Sequence, residues 1–341
     1  MLSRLSVYAI ALAVLPMVAS AAYFGSGPAS ADQPALTAGV ASQVAAAGGA
    51  ATAELAARPI PPITTLLAPS AVDQLKADLA NIAAQSGGRV GISLQELSGP
   101  RRTSLSIGGS QVFYAASAYK LPLLMAEAQQ IASGQISAGD VLCYDPEDQE
   151  DGWFTDYDIG SCFGRQQLAQ RAGLYSDNTA AHILVRYLGG RDALNAFARS
   201  IGMTSSALWI PNTTTTDDLA TAWVDEALGR AGGDTAQRWL YPLLTHTANE
   251  SGIPAGLPGN GTVVHKVGSL DGSENDSAYV IVGGVSYVLS VAIDGPDEAA
   301  GWQTIASISA RIWQYESSRP AYSPAPVTPS APPPIWPDRR H

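Results

Sequence analysis

The chain has 341 residues, 46% of them hydrophobic and 14% charged, with a formal net charge of -11. This length suits one large domain or two small ones with a substantial core. The acidic balance excludes a nucleic-acid partner, which needs a basic face, and otherwise says only that the protein is soluble.

Residues 1–22, MLSRLSVYAIALAVLPMVASAA, place Arg4 before an apolar run that ends in small residues. This is the pattern of a secretory signal with a cleavage site at Ser20-Ala21-Ala22. An uncleaved membrane anchor is the other reading, because Leu5 to Phe24 could just span a bilayer. No cysteine lies nearby, which excludes a lipoprotein anchor. Either way the chain is expected outside the cytoplasm, secreted or in the cell envelope. Residues 23–66 are rich in Ala, Gly, Pro, Ser and Thr without hydrophobic periodicity, and read as a linker, partly helical.

The folded domain is expected over residues 67–317. AVDQLKADLANIAAQ puts Val72, Leu75, Leu79 and Ile82 on one helix face. RVGISLQEL alternates as a strand, ends at Ser98-Gly99-Pro100, and is followed by a second strand in RTSLSIGG. From Ser117 to about Ala231 the chain is mainly helical. TVVHKVGSL, SAYVIVGG and SYVLSVAID are three further strands, and EAAGWQTIASISARIWQYE is a closing helix. Strands at both ends with helices between them predict an α+β fold: one antiparallel sheet built from both ends of the domain, with an inserted helical lobe. Residues 318–341 carry eight prolines. They favour extended polyproline II and read as a disordered tail, or as a segment that binds cell-wall material or a partner.

Cys143 and Cys162 are the only cysteines. An even count in an exported chain predicts one disulfide, worth about 3 kcal/mol in the chain-entropy model.

The chemistry centres on YAASAYK at 114–120. Ser117 and Lys120 share one helix face, at the positive end of the helix dipole. A neutral lysine can deprotonate a serine, but only if its pKa falls far below about 10.4, as burial and a second cation can make it do. The pair alone occurs by chance in many helices. Two further motifs accompany it: Ser176-Asp177-Asn178, 59 residues on, and Lys266-Val267-Gly268 on a predicted strand, 90 residues later still.

In order and on the expected elements, these resemble the S-x-x-K, S-D-N and K-T-G signatures of class A β-lactamases and penicillin-binding proteins. NTTTTDDLA, KVGSLDGSENDSAYVIV and GWQTIASISARIWQ are similar to further family segments, so the resemblance covers residues 67–317. It implies an antiparallel α+β fold of the class A type and a serine hydrolase needing no cofactor or metal. In that scheme Ser117 attacks a carbonyl to form an acyl-enzyme, and Lys120 accepts its proton. Ser176 relays a proton to the leaving nitrogen, Asn178 holds a substrate amide, and Lys266 keeps Lys120 neutral. The strand 266–269 binds substrate along Gly268, and the backbone N–H groups of Ser117 and Ser269 form the oxyanion hole.

The sequence departs from that family in three ways. The loop expected to carry the water-activating glutamate, residues 199–212, reads RSIGMTSSALWIPN and holds no carboxylate. Asp217 and Asp218 follow it but read as helix-capping residues. Val267 replaces a hydroxyl residue, and no arginine lies between Arg238 and Arg311 to grip a substrate carboxylate with a bidentate fork. The expectation is therefore an exported serine hydrolase, acylated by a β-lactam or peptidoglycan-like amide or ester and slow to deacylate. The alternatives are a D-Ala-D-Ala peptidase and a non-catalytic envelope-binding module. The acidic loop between the cysteines fits no calcium site and reads as the cleft rim, with Trp153, Phe154 or Tyr157 walling the pocket. His182 reads as a packed or capping residue.

Overall fold

The computed structural model describes residues 70–98 and 102–318. The leader at 1–22, the linker at 23–66 and the tail beyond residue 318 lie outside the described residues. Both ends of the domain meet in one five-stranded sheet of order β2-β1-β9-β8-β7, every neighbour antiparallel. Its strands are β1 (Arg89–Glu96), β2 (Ser104–Ile107), β7 (Thr262–Leu270), β8 (Ser273–Val282) and β9 (Val285–Asp294). The turns at Asp271-Gly272 and Gly283-Gly284 take positive φ at all four positions, so adjacent strands fold back within two residues.

Helices α1 (Ala71–Gln85) and α8 (Glu298–Ser317) join the sheet in one hydrophobic cluster. Ser70 caps α1 by accepting from the Asp73 N–H at 3.1 Å, and Asp297 caps α8 by accepting from Ala300 N–H at 3.0 Å. Leu75 and Leu79 of α1, with Ile305, Ile308 and Ile312 of α8, pack onto Ile92, Leu289 and Val291. Their 3.6-residue and two-residue spacings are those read from the sequence, and each fully buried side chain is worth roughly 1.5–3 kcal/mol.

The inserted lobe comprises α2 (Lys120–Ala132), α3 (Arg165–Leu174), α4 (Asn178–Leu188), α5 (Gly190–Ser200), α6 (Thr216–Ala227) and α7 (Gly233–Leu240). It carries two short ribbons: β3 (Phe113–Tyr114) with β6 (Thr213–Thr214), and β4 (Val141–Cys143) with β5 (Cys162–Gly164). In the second ribbon Cys143 lies opposite Cys162, and the two form a disulfide as expected. The first nine residues of α2 are all buried, so α2 runs through the lobe centre with no solvent face there. That forces Lys120, at its first position, into the interior.

Candidate active site

Ser117 lies in a single 3₁₀ turn, Ala116–Tyr119, that leads directly into α2. Ala116 before it and Ser176 across the cleft both have positive φ, of 45° and 58°. Non-glycine residues in that region are uncommon and concentrate at functional sites. Gly268 on β7 packs against this turn. A Cβ there would lie 2.5 Å from the Ala115 carbonyl oxygen and 2.7 Å from the Ala118 nitrogen, so only glycine lets β7 run past the serine.

Lys120 Nζ lies 2.9 Å from Ser117 Oγ. It also lies 2.6 Å from the Ser176 carbonyl, 2.6 Å from Asn178 Oδ1 and 3.3 Å from Ser176 Oγ. The carbonyl and the amide oxygen can only accept. They take two N–H groups, which in a neutral amine leaves the lone pair for Ser117. Lys120 is 0% exposed, and burial, followed by the Lys266 charge, holds its pKa well below that of a free lysine. Lys266 is itself buried, and burial lowers its pKa to about 7. Its Nζ donates to Ser176 Oγ at 2.9 Å and to the Val267 carbonyl at 2.8 Å. Ser176 Oγ therefore bridges the two amines.

Asp177 caps α4 by accepting from Ala180 N–H at 2.8 Å. It also accepts from Trp153 N–H, Phe154 N–H and the Tyr157 hydroxyl, and so ties the acidic loop to the second motif. Asn178 Nδ2 donates to the Asp151 carbonyl at 2.8 Å, so both ends of this amide are held in place.

Two cavities, of about 240 and 230 Å³, flank the serine, and Ser117 and Ser269 line both. Lys266, Ser176, Thr247, Asn249, Tyr175 and Trp153 line the second. The first is lined by Asn178, His182, Trp209, Ile210, Asn212 and Glu150, among others.

The structure thus brings Ser117, Lys120, Ser176, Asn178, Lys266, Gly268 and Ser269 together, although the motifs span some 150 residues of sequence. It also refines several smaller expectations. Of the three aromatics, only Trp153 lines either of these two cavities; Phe154 packs edge-on against Tyr175, and Tyr157 is buried in the lobe core. Asp217 and Asp218 do not cap α6, whose cap is Thr215. Asp217 instead accepts from the Ser93 and Ser106 hydroxyls, and Asp218 from Ser205 N–H and the Ser206 hydroxyl. His182 is packed, as expected, with its ring on Trp209, and it also lines the first cavity. Residues 199–212 bring no carboxylate, but Glu150 reaches the same cavity from the acidic loop. Glu150 has no sequence signal beyond its place in that loop. His182 has one: it lies four residues after Asn178 on the same helix face.

The family model described as "Beta-lactamase enzyme family" matches residues 74–316. Beta-lactamase CTX-M-8 of Citrobacter amalonaticus is 31% identical over 227 residues, 59% of this chain and 74% of that one. Beta-lactamase OXY-1 of Klebsiella oxytoca is 30% identical over 234 residues, 62% of this chain and 77% of that one. Among solved structures, PBP-A matches with a TM-score of 0.67 at 25% identity, over 72% of this chain and 96% of that chain. A beta-lactamase from Sphaerobacter thermophilus matches with a TM-score of 0.65 at 26% identity, over 73% and 98%. The chain is a serine hydrolase of class A architecture and belongs to the beta-lactamase enzyme family.

Proposed function

We propose that the protein acts outside the cytoplasm as an acyl-transfer enzyme, with Ser117 as its nucleophile and β-lactams or peptidoglycan-like amides and esters as its substrates. The carrying observation is the set of contacts around Lys120 Nζ, which hold this buried amine 2.9 Å from Ser117 Oγ, where its neutral form can take the serine proton. The Ser117 proton passes to Lys120, and Ser176 Oγ, bonded to both amines, delivers a proton to the leaving nitrogen. The N–H groups of Ser117 and Ser269 take up the developing oxyanion, each donor being worth about 3 kcal/mol. Asn178 and the 266–269 strand hold the substrate. The Cys143–Cys162 disulfide suits an oxidising compartment.

The missing carboxylate at 199–212 supports an acyl-enzyme that outlives those of relatives with a loop base. A peptidase acting on D-Ala-D-Ala-like ends is the second reading, favoured by the two cavities that let an extended chain cross Ser117. Intact-mass spectrometry of the purified protein with a penicillin and with an acyl-peptide ester tests both. An adduct from either reagent that is lost in Ser117→Ala supports the reading. An adduct that survives in Ser117→Ala puts the nucleophile elsewhere.

A further inference from the structure

The cavity beside residues 209–212 holds a carboxylate, Glu150, with no part in the acylation of Ser117. Glu150 Oε2 lies 2.7 Å from His182 Nε2. Burial, as the largest influence, lowers the His182 pKa, and the ring donates to that oxygen through an N–H at Nε2. The Glu150 backbone is clamped to the first turn of α4: its N–H donates to Thr179 Oγ1 at 3.1 Å, and Thr179 Oγ1 donates back to its carbonyl at 2.8 Å. The His182 ring packs on Trp209 at 4.2 Å between centroids, which fixes its orientation. Asn212 lines the same cavity; its Nδ2 donates to the Ala116 carbonyl at 2.8 Å, while its Oδ1 is buried without a hydrogen-bond partner among the described residues. An orphan acceptor and a carboxylate lining one cavity with Ser117 make a seat for a water molecule.

We infer that Glu150 is the base that activates water to hydrolyse the Ser117 ester, with His182 as the positioning residue that aims it. This rests on the acylation of Ser117 proposed above. Water attacks the ester carbonyl, and one of its protons goes to Glu150. The tetrahedral intermediate collapses by breaking the bond to Ser117 Oγ. The serine alkoxide recovers its proton from the carboxylic acid just formed, the carboxylate product leaves, and Glu150 returns its proton to solvent. Glu150 is half exposed, with a side-chain exposure of 50%, so bulk water competes for its carboxylate and the adduct persists long enough to be seen.

The test is a time course of adduct mass in the full chain, loaded with penicillin G and freed of excess drug, for wild type, Glu150→Gln, Glu150→Asp and His182→Asn. Formation and decay rates are read separately. Glu150→Gln should slow decay about 10²-fold or more while formation changes less than about threefold, since a positioned base is typically worth about 10²–10⁴. Glu150→Asp should restore part of the decay rate. His182→Asn should slow decay without slowing formation, whereas a merely structural role would alter both. Unchanged decay in Glu150→Gln overturns the inference while leaving Ser117 as nucleophile. No adduct in wild type overturns the Ser117 reading, and this one with it.

Discussion

Replacing Lys266 by glutamine should move the acid limb of acylation to higher pH. Lys120 Nζ and Lys266 Nζ both contact Ser176 Oγ, at 3.3 and 2.9 Å, which holds the amines within about 6 Å of each other. At an effective dielectric of about 20, unit charges that far apart repel by roughly 3 kcal/mol, or about two pH units. Lys266 loses its own proton near pH 7, so the full repulsion acts only below that pH. The sign follows from Lys120. Its neutral form is the base, and a neighbouring cation disfavours the charged form and lowers its pKa. Removing that cation lets Lys120 hold its proton to higher pH, so acylation at neutral pH falls and recovers on the alkaline side. Burial remains and is the larger cause, so the limb should rise by at most about two units and stay below the free-lysine value. Stopped-flow acylation by a chromogenic cephalosporin across the neutral and alkaline range measures it. A lower plateau alone would mean that Lys266 only binds substrate. A limb that stays put or moves to lower pH would refute the electrostatic argument.

Ser117→Ala should abolish the adduct while leaving the melting temperature within a few degrees of wild type, as read by mass and by circular dichroism. Lys120→Arg should be nearly inactive in the same labelling assay, because a guanidinium does not give up its proton near neutral pH. Reducing the Cys143–Cys162 bridge, 19 residues apart in sequence, should cost about 3 kcal/mol, seen as a lower denaturant midpoint with reductant than without. Glu226 is buried with neither carboxylate oxygen hydrogen-bonded among the described residues, and burial raises its pKa to about 7. Its folded-state pKa exceeds the unfolded value of 4.5, so stability is lost as pH rises from 4.5 through about 7 and is level above that. Glu226→Gln should remove that loss, gaining roughly 3 kcal/mol in urea melts on the alkaline side and little at acid pH.

The order and identity of the reactive residues are legible in the amino-acid sequence. Ser117, Lys120, Ser176, Asn178 and Lys266 stand in recognisable motifs. The period-two runs that form β7, β8 and β9, and the 3.6-residue runs of α1 and α8, are enough to predict a sheet closed from both ends. Such patterns are local, because they record which side of one element meets water. The charge state of Lys120 is not local. It depends on α2 being buried all round its first turns and on a second amine arriving from β7, far along the chain. Asp217 has the sequence position of a cap but serves β1 and β2, since its partners Ser93 and Ser106 lie more than a hundred residues away. Glu150 shows the same limit most plainly. As one of seven acids in a loop it reads as solvated, and only the packing of that loop on α4 brings its carboxylate into the cavity with Ser117. The sequence determined the elements and the chemical groups; the tertiary structure decided their distances and burial, and on these pKa values and proton paths depend.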